Sequence, residues 1–158
     1  MPLVIVPHEE TESARADHDR IVVGVDGSEH SADALRWAIS TAGPDDEITA
    51  VTTWQTPIDG PLVFGSARFD VRMLKAAARD IVNDACDKTC AELGVDPGRV
   101  QREITEGDPR WVLMSREDGV DLLVLGQRGR SGLTHFFLGS TTTALIHRPH
   151  CPIAVIPG

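Results

Sequence analysis

The chain has 158 residues, of which 41% are hydrophobic and 25% charged, a composition typical of one folded domain and not of a disordered chain. A formal charge of −9 argues against nonspecific binding to DNA or to an anionic membrane. The apolar runs are far shorter than the roughly 20 residues that span a bilayer, no signal peptide is recognisable, and three cysteines are too few for a disulfide framework. We therefore expect an acidic, cytoplasmic, single-domain protein that binds neither nucleic acid nor membrane.

The first 19 residues differ in composition from the rest of the chain. Their only apolar cluster is Leu3–Val6, and neither a helical nor a strand period follows it. Acidic side chains outnumber basic ones in this segment, at Glu9, Glu10, Glu12, Asp17 and Asp19. The pattern predicts a flexible or loosely docked acidic arm over residues 1–19 and a folded domain over residues 20–158.

Beyond the arm, short apolar runs alternate with segments of helical periodicity. Ile21–Val25 is β-branched and predicts a strand, and residues 29–42 repeat apolar side chains at helical spacing. The later predicted strands are Ile48–Trp54, Val100–Ile104, Asp121–Leu125 and Ile153–Ile156, and the later helices are residues 66–93, Trp111–Glu117 and Ser140–His147. Five continuous apolar strands joined by four helices predict an α/β fold, with a doubly wound parallel sheet covered on both faces.

In such a sheet, ligands bind beyond the carboxyl ends of the strands, at the point where the strand order reverses. The residues after the first predicted strand are Asp26-Gly27-Ser28, in which Gly27 permits a tight turn and Ser28 can cap the following helix. By itself, this turn is equally well explained as an ordinary strand-to-helix connection.

The segment after the fourth predicted strand has the composition of an anion-binding loop. Gly126 and Gly129 let the backbone approach a ligand closely, and Arg128 adds positive charge to an acidic protein. Gly139–Thr142 begins a helix whose free N–H groups, dipole and hydroxyls favour a phosphate. Together these features favour a phosphate cradle over a flexible loop that precedes a serine-capped helix.

The spacing Gly126-x2-Gly129-x9-Gly139-Ser140 resembles the ATP-binding motif of the universal stress protein family. Three other segments resemble the same family, Val23–Ser28, the predicted helix Ser31–Ala38 and Cys151–Ile156, so that the resemblance covers nearly all of the chain except the arm. A Gly-Lys-Ser/Thr segment is absent from the sequence, so a P-loop lysine is not available for phosphoryl transfer.

The resemblance implies a five-stranded, Rossmann-like sheet of strand order 3-2-1-4-5 that binds an adenine nucleotide. The ligand it implies is ATP, with Mg²⁺ held through the phosphates, and cyclic AMP is the alternative. Carried over by position, the nucleotide-binding residues are Val25, Asp26, Thr53, Gly126, Arg128, Gly129, Gly139, Ser140, Thr141 and Thr142. No residue is assigned a catalytic role or direct contact with a metal.

The function that the resemblance implies is that of a stress-response protein that binds ATP and signals through an unidentified regulatory partner. A slow ATPase and a nucleotide-independent interaction protein remain alternatives, and at most slow hydrolysis is expected because no general base is evident. The resemblance also places the apolar strand Pro152–Ile156 at the sheet edge, which predicts a homodimer through that strand. Alternatively, Leu3–Val6 adds a strand at this edge and keeps the chain monomeric.

Two further groups of residues are interpreted as structural. Cys86 and Cys90 lie one helical turn apart, and buried thiols are favoured there over a zinc site. The tryptophans Trp37, Trp54 and Trp111 occupy apolar positions and are predicted to pack in the interior.

Overall fold

The computed structural model describes six segments of the chain, residues 1–6, 19–56, 70–116, 119–128, 139–147 and 149–158. The strands in these segments are β1 (Leu3–Ile5), β2 (Arg20–Gly24), β3 (Glu47–Trp54), β4 (Val100–Glu106), β5 (Leu122–Gly126) and β6 (Ile153–Ile156). The α-helices are α1 (Glu29–Thr41), α2 (Val71–Leu93), α3 (Pro109–Met114) and α4 (Ser140–His147), and a 3₁₀ turn covers Pro97–Arg99.

The strands form one sheet in the order β1-β6-β5-β2-β3-β4. The five strands from β2 to β6 run parallel to one another, and among the described strands only β1 pairs antiparallel, with β6. From β2 the chain moves outwards to β3 and β4, and then returns to the other side of β2 to form β5 and β6. The strand order therefore reverses between β2 and β5, and the carboxyl ends of these strands are where a ligand is expected.

The predicted α/β, doubly wound class is confirmed, and the five predicted strands follow the order 3-2-1-4-5 as β4-β3-β2-β5-β6, but the prediction that these five form the whole sheet is wrong. In the described residues the sheet has a sixth strand, β1, which lies outside β6, so the order of the complete sheet differs from the predicted one. Leu3, Val4 and Ile5 face Val155, Ala154 and Ile153. As a result β6 is not an edge strand, and the homodimer predicted through Pro152–Ile156 requires an edge that β1 covers. The remainder of the predicted acidic arm, residues 7–18, lies outside the described residues.

Apolar side chains cover both faces of the sheet. Val23 and Val124 face the layer beneath α1 and α2, whereas Val22 and Leu123 face the layer beneath α3 and α4. This alternation arises because successive side chains of a strand point to opposite faces. The central strands are therefore buried on both sides, which is why they are apolar without interruption.

The residues interpreted as structural have mixed outcomes. Cys86 and Cys90 are fully buried, and in the described part of the chain no group of three or more His, Cys, Asp or Glu residues could hold a metal ion. Trp54 is buried as predicted, but Trp111 is 68% exposed, so its predicted interior position is wrong. The short helix α3 buries Val112 and Leu113. Trp111 lies on a different side of the same helix, which is exposed to solvent. No described helix is long and apolar enough to cross a membrane.

Candidate functional site

A cavity of about 330 Å³ lies at the carboxyl ends of the central strands, where the strand order reverses. This volume is in the range of small-molecule sites. The predicted nucleotide-binding residues that line it are Val25, Asp26, Thr53, Gly126, Arg128, Gly139, Ser140, Thr141 and Thr142. The tenth predicted residue, Gly129, lies outside the described residues. The fold thus brings together residues that are more than 100 positions apart in the sequence.

The connection between β2 and α1 forms one wall of the cavity. Gly27 has a φ of 83°, a left-handed conformation that glycine adopts without steric cost. One carboxylate oxygen of Asp26 accepts hydrogen bonds from the backbone N–H of Ser28 at 3.0 Å and from its hydroxyl at 2.6 Å. The Ser28 hydroxyl oxygen in turn accepts from the N–H of Ser31 at 3.2 Å and caps α1, as predicted. Asp26 is therefore held in a fixed orientation by its own turn.

Three buried hydroxyl groups hold backbone atoms at the strand ends around the cavity. Thr52 donates to the carbonyl of Val25 at 2.8 Å, and Thr142 donates to the carbonyl of Gly126 at 3.1 Å. The Ser31 hydroxyl accepts from the N–H of Asp26 at 3.3 Å and donates to the carbonyl of Ser28 at 2.9 Å. These groups lend rigidity to the cavity walls, because each pairs with a backbone atom that is buried or partly buried.

The geometry assigns the hydroxyl of Thr142 a structural contact. Thr142 is 4% exposed, and its single hydroxyl hydrogen is used inside the protein, on Gly126. A phosphate needs hydrogen-bond donors, and this hydroxyl has only acceptor capacity left. We therefore interpret the Thr142 hydroxyl as a group that positions Gly126, and the contact of Thr142 with a nucleotide stays a prediction.

The start of α4 provides the donors of the predicted cradle. Gly139, Ser140 and Thr141 line the cavity, and the first N–H groups of a helix have no acceptor within the helix. The N–H of Gly139 donates to the carbonyl of Gln127 at 2.9 Å, which fixes the helix start against the end of β5. Arg128 also lines the cavity and adds a positive charge. Together these groups favour an anion.

Gly126 is the point of closest packing beneath the cradle. A Cβ atom at this position would lie 2.5 Å from the carbonyl oxygen of His30 and 2.6 Å from its carbonyl carbon, both in the first turn of α1. The adjacent N–H of Gln127 donates to the carbonyl of Ile156 at 2.8 Å. The absence of a side chain at Gly126 is therefore what allows β5, β6 and α1 to meet at the cavity floor.

Sequence reasoning missed the apolar wall of the cavity. Val51, Ile81, Pro109 and Leu113 line it, from β3, α2 and α3. No sequence pattern distinguishes them from core residues, because an apolar side chain beside a cavity has the same periodicity as one in the interior. These side chains line the same cavity as the polar residues described above, so the cavity combines apolar surface with groups that favour an anion.

The cysteines do not contribute reactive groups to this site. Cys86 and Cys90 lie on α2, and neither is among the residues that line the cavity. Burial raises the pKa of the Cys86 thiol to about 11 and raises that of Cys90 as well. Both thiols are therefore neutral near pH 7.

Comparison with known proteins identifies the family. The family model of the universal stress protein family matches residues 18–157. A universal stress protein of Methanocaldococcus jannaschii is 30% identical over 143 residues, which cover 88% of this chain and 82% of that protein. One from Mycobacterium tuberculosis is 30% identical over 145 residues, which cover 86% of this chain and 47% of that protein. The chain thus spans about half the length of the mycobacterial relative.

Solved structures share the fold at low sequence identity. The universal stress protein UspA of Lactobacillus plantarum superposes with a TM-score of 0.62 at 22% identity, covering 90% of this chain and 99% of that one. A family member from Arabidopsis thaliana with AMP bound has a TM-score of 0.57 at 21% identity, covering 88% and 91%. A universal stress protein in complex with cAMP has a TM-score of 0.58 at 22% identity, covering 87% and 96%. On the match of the family model to nearly its whole length, the chain belongs to the universal stress protein family.

Proposed function

We propose that the cavity binds an adenine nucleotide, with ATP as the main ligand, and that the protein acts as a regulatory component of the stress response. The observation that carries this proposal is the position of the α4 N-terminus, which opens into the same cavity as Asp26 and the apolar wall. The structural neighbours that hold AMP and cAMP add support, since they are similar in fold.

Each part of the cavity suits one part of a nucleotide. Val25, Val51 and Ile81 offer an apolar surface for a base, and Asp26 offers a fixed carboxylate to the hydroxyls of a ribose. The helix start at Ser140, with Arg128, offers donors and positive charge to phosphates. Asp26 is the one carboxylate among the described lining residues. The predicted Mg²⁺ would therefore take most of its oxygen ligands from the phosphates and few from the protein.

The proposed mode of action is binding without rapid hydrolysis. A general base must reach a water molecule that attacks the terminal phosphate. Asp26 is the carboxylate among the described lining residues, and it accepts two hydrogen bonds from Ser28 in its own turn. These hydrogen bonds hold the carboxylate in its own turn, which is why we assign Asp26 to ribose binding and not to the role of general base. A turnover of about 1 per second or faster, which is within the usual enzyme range, would contradict this part of the proposal.

Mass spectrometry of nucleotide retained by gently purified protein tests the proposal directly. We expect an adenine nucleotide, whose mass distinguishes ATP from cyclic AMP. Calorimetry with ATP, AMP, cyclic AMP and GTP, with and without Mg²⁺, then measures affinity and base preference. Absence of binding to every adenine nucleotide at millimolar concentration would refute the proposed function.

A pair of matched variants tests the site. Asp26→Asn preserves the shape of the turn but removes the charge, and we expect about a 10- to 100-fold loss of affinity, corresponding to a hydrogen bond with a charged group of about 1.5–3 kcal/mol. Asp96→Asn is the control, because Asp96 accepts from the N–H of Gly98 at 2.7 Å in a similar turn and does not line the cavity. Equal affinities of the two variants would contradict the role of Asp26.

A further inference from the structure

The short strand β1 covers the sheet edge at β6 with little burial of its own. It has three residues, and it pairs with Ile153–Val155. Leu3 is 56% exposed and Val4 is 49% exposed, so the apolar gain from docking β1 is small. A short strand with exposed side chains belongs to the part of a fold that opens at the lowest free energy.

The strand β6, which pairs with β1, carries no charged side chain that would oppose pairing with another chain. All four residues of β6 are apolar and at most 6% exposed, and an uncovered apolar edge strand is a template for pairing with another chain. The opposite edge of the sheet is different. There β4 carries Arg102, which pairs with Asp87, and Glu103, which pairs with Arg116. Charged side chains protect the β4 edge, whereas β1 is the described element that protects the β6 edge.

The direction of β1 is the direction that a partner strand would take. It runs antiparallel to β6, although the five other strands run parallel to one another. When a two-fold axis perpendicular to the sheet relates two copies of a chain, their edge strands also run antiparallel. A β6 strand from a second copy would therefore form the same type of ladder with β6 that β1 forms, and the two cannot bind at once.

We propose that β1 is a displaceable cover that competes with a second copy of this chain for the edge of β6. The chain is monomeric while β1 is bound, and it dimerises through β6 when β1 leaves. This inference does not depend on the nucleotide site, because it rests on the strand pairing and exposure of the sheet edge alone.

Light scattering coupled to size-exclusion chromatography tests the proposal with three proteins. The full chain is expected to be a monomer at about 50 μM. A chain lacking residues 1–6 is expected to be a dimer, and so is the double variant Val4→Pro/Ile5→Pro. In an antiparallel pair, alternate residues direct their N–H groups to the partner strand. Two consecutive prolines therefore remove a ladder donor whichever register holds. Circular dichroism establishes that each protein is folded.

A peptide of residues 1–6 identifies the surface that the dimer uses. Added in excess to the shortened chain, it is expected to return the dimer to monomer, whereas the same peptide with both proline substitutions is expected to have no effect. A full chain that dimerises, or folded variants that both remain monomeric, would overturn the proposal. A dimer that persists in saturating peptide would overturn it as well, because that dimer would use another surface.

Discussion

The most informative single substitution is Gly126→Ala, because it adds one methyl group at the floor of the cavity. That methyl would lie 2.5 Å from the carbonyl oxygen of His30, 2.6 Å from its carbonyl carbon and 2.9 Å from its Cβ. Separations below 3.0 Å are not tolerated by real Cβ atoms, and the atoms in the way are mostly backbone atoms of α1. Gly126 does not have a positive φ, so the effect is one of packing and not of backbone conformation.

Relief of this overlap requires α1 and β5 to separate by several tenths of an ångström. Overpacking of this kind costs about 1–3 kcal/mol of the free energy of unfolding. For a chain of this size, each kcal/mol corresponds to about 2–4 °C in Tm. We also expect about a tenfold or greater loss of nucleotide affinity, since Gly126 contacts Thr142 and precedes the start of the cradle.

Gly24→Ala is the matched control. It adds the same methyl on the neighbouring strand and at the same cavity, but the atoms it meets are the Cδ2 of Leu125 at 2.9 Å and the Cδ1 of Leu113 at 3.4 Å. The ends of leucine side chains can rotate away, so the cost is expected to stay below about 1 kcal/mol. Urea denaturation followed by circular dichroism measures both variants. Equal stabilities would refute the argument that backbone contact at Gly126 determines the close packing here.

Three other substitutions follow from single contacts. Thr142→Val removes the hydroxyl that donates to the buried carbonyl of Gly126, and it is expected to lower the free energy of unfolding by about 1–3 kcal/mol. Thr142→Ser keeps a hydroxyl and is expected to retain most of the stability and of the nucleotide affinity. Equal losses in the two variants would contradict the positioning role. Burial raises the pKa of the Cys86 thiol from 9.0 to about 11. The contribution of this thiol to stability is therefore complete below pH 9 and is lost as the pH rises towards 11. Between pH 9 and 11, the urea midpoint of Cys86→Ala is expected to fall less than the urea midpoint of the unmodified chain. Hydrogen bonding by Arg116 lowers the pKa of Glu103, so this pair stabilises the fold above the ordinary pKa of 4.5 and less as the pH falls below it. Arg116→Met is expected to lower the free energy of unfolding by less than about 1 kcal/mol at pH 7, since the pair is partly exposed. If this loss of stability stayed the same as the pH fell below 4.5, it would not come from the ion pair.

Local chemistry alone accounts for much of the fold. The uninterrupted apolar runs of β2 and β5 predict burial on both faces, and burial on both faces requires helices on either side of a parallel sheet. Ser28 caps α1 and Gly94, with a φ of 64°, ends α2, because these residue types satisfy or permit the backbone at helix ends. Each of these outcomes depends on a residue and its near neighbours in the chain.

Most of the candidate site could also be predicted, and for a related reason. Glycines spaced before a Ser-Thr helix start are a local feature, and strand ends in a parallel sheet necessarily meet at one edge. Nine predicted residues consequently line one cavity, Gly129 being outside the described residues. The role of Thr142 could not be predicted, since whether a hydroxyl points to a ligand or to the carbonyl of Gly126 depends on how α4 docks against β5.

The sequence by itself determined the α/β class, the helix caps and the position of the cavity, because apolar periodicity, turn residues and glycine spacing act over short stretches of chain. For the sheet edge the sequence left two alternatives, a homodimer through Pro152–Ile156 or an added strand from Leu3–Val6, and only the tertiary structure showed that Leu3–Ile5 pairs there. Leu3–Ile5 is too short to show a strand period, and its pairing with Ile153–Val155 depends on groups about 150 residues away in the chain. The exposure of Trp111 was likewise decided by the way α3 packs against the sheet. Whether a short apolar segment pairs with a distant strand depends on its tertiary context, so this pairing becomes visible only when the strands are in place.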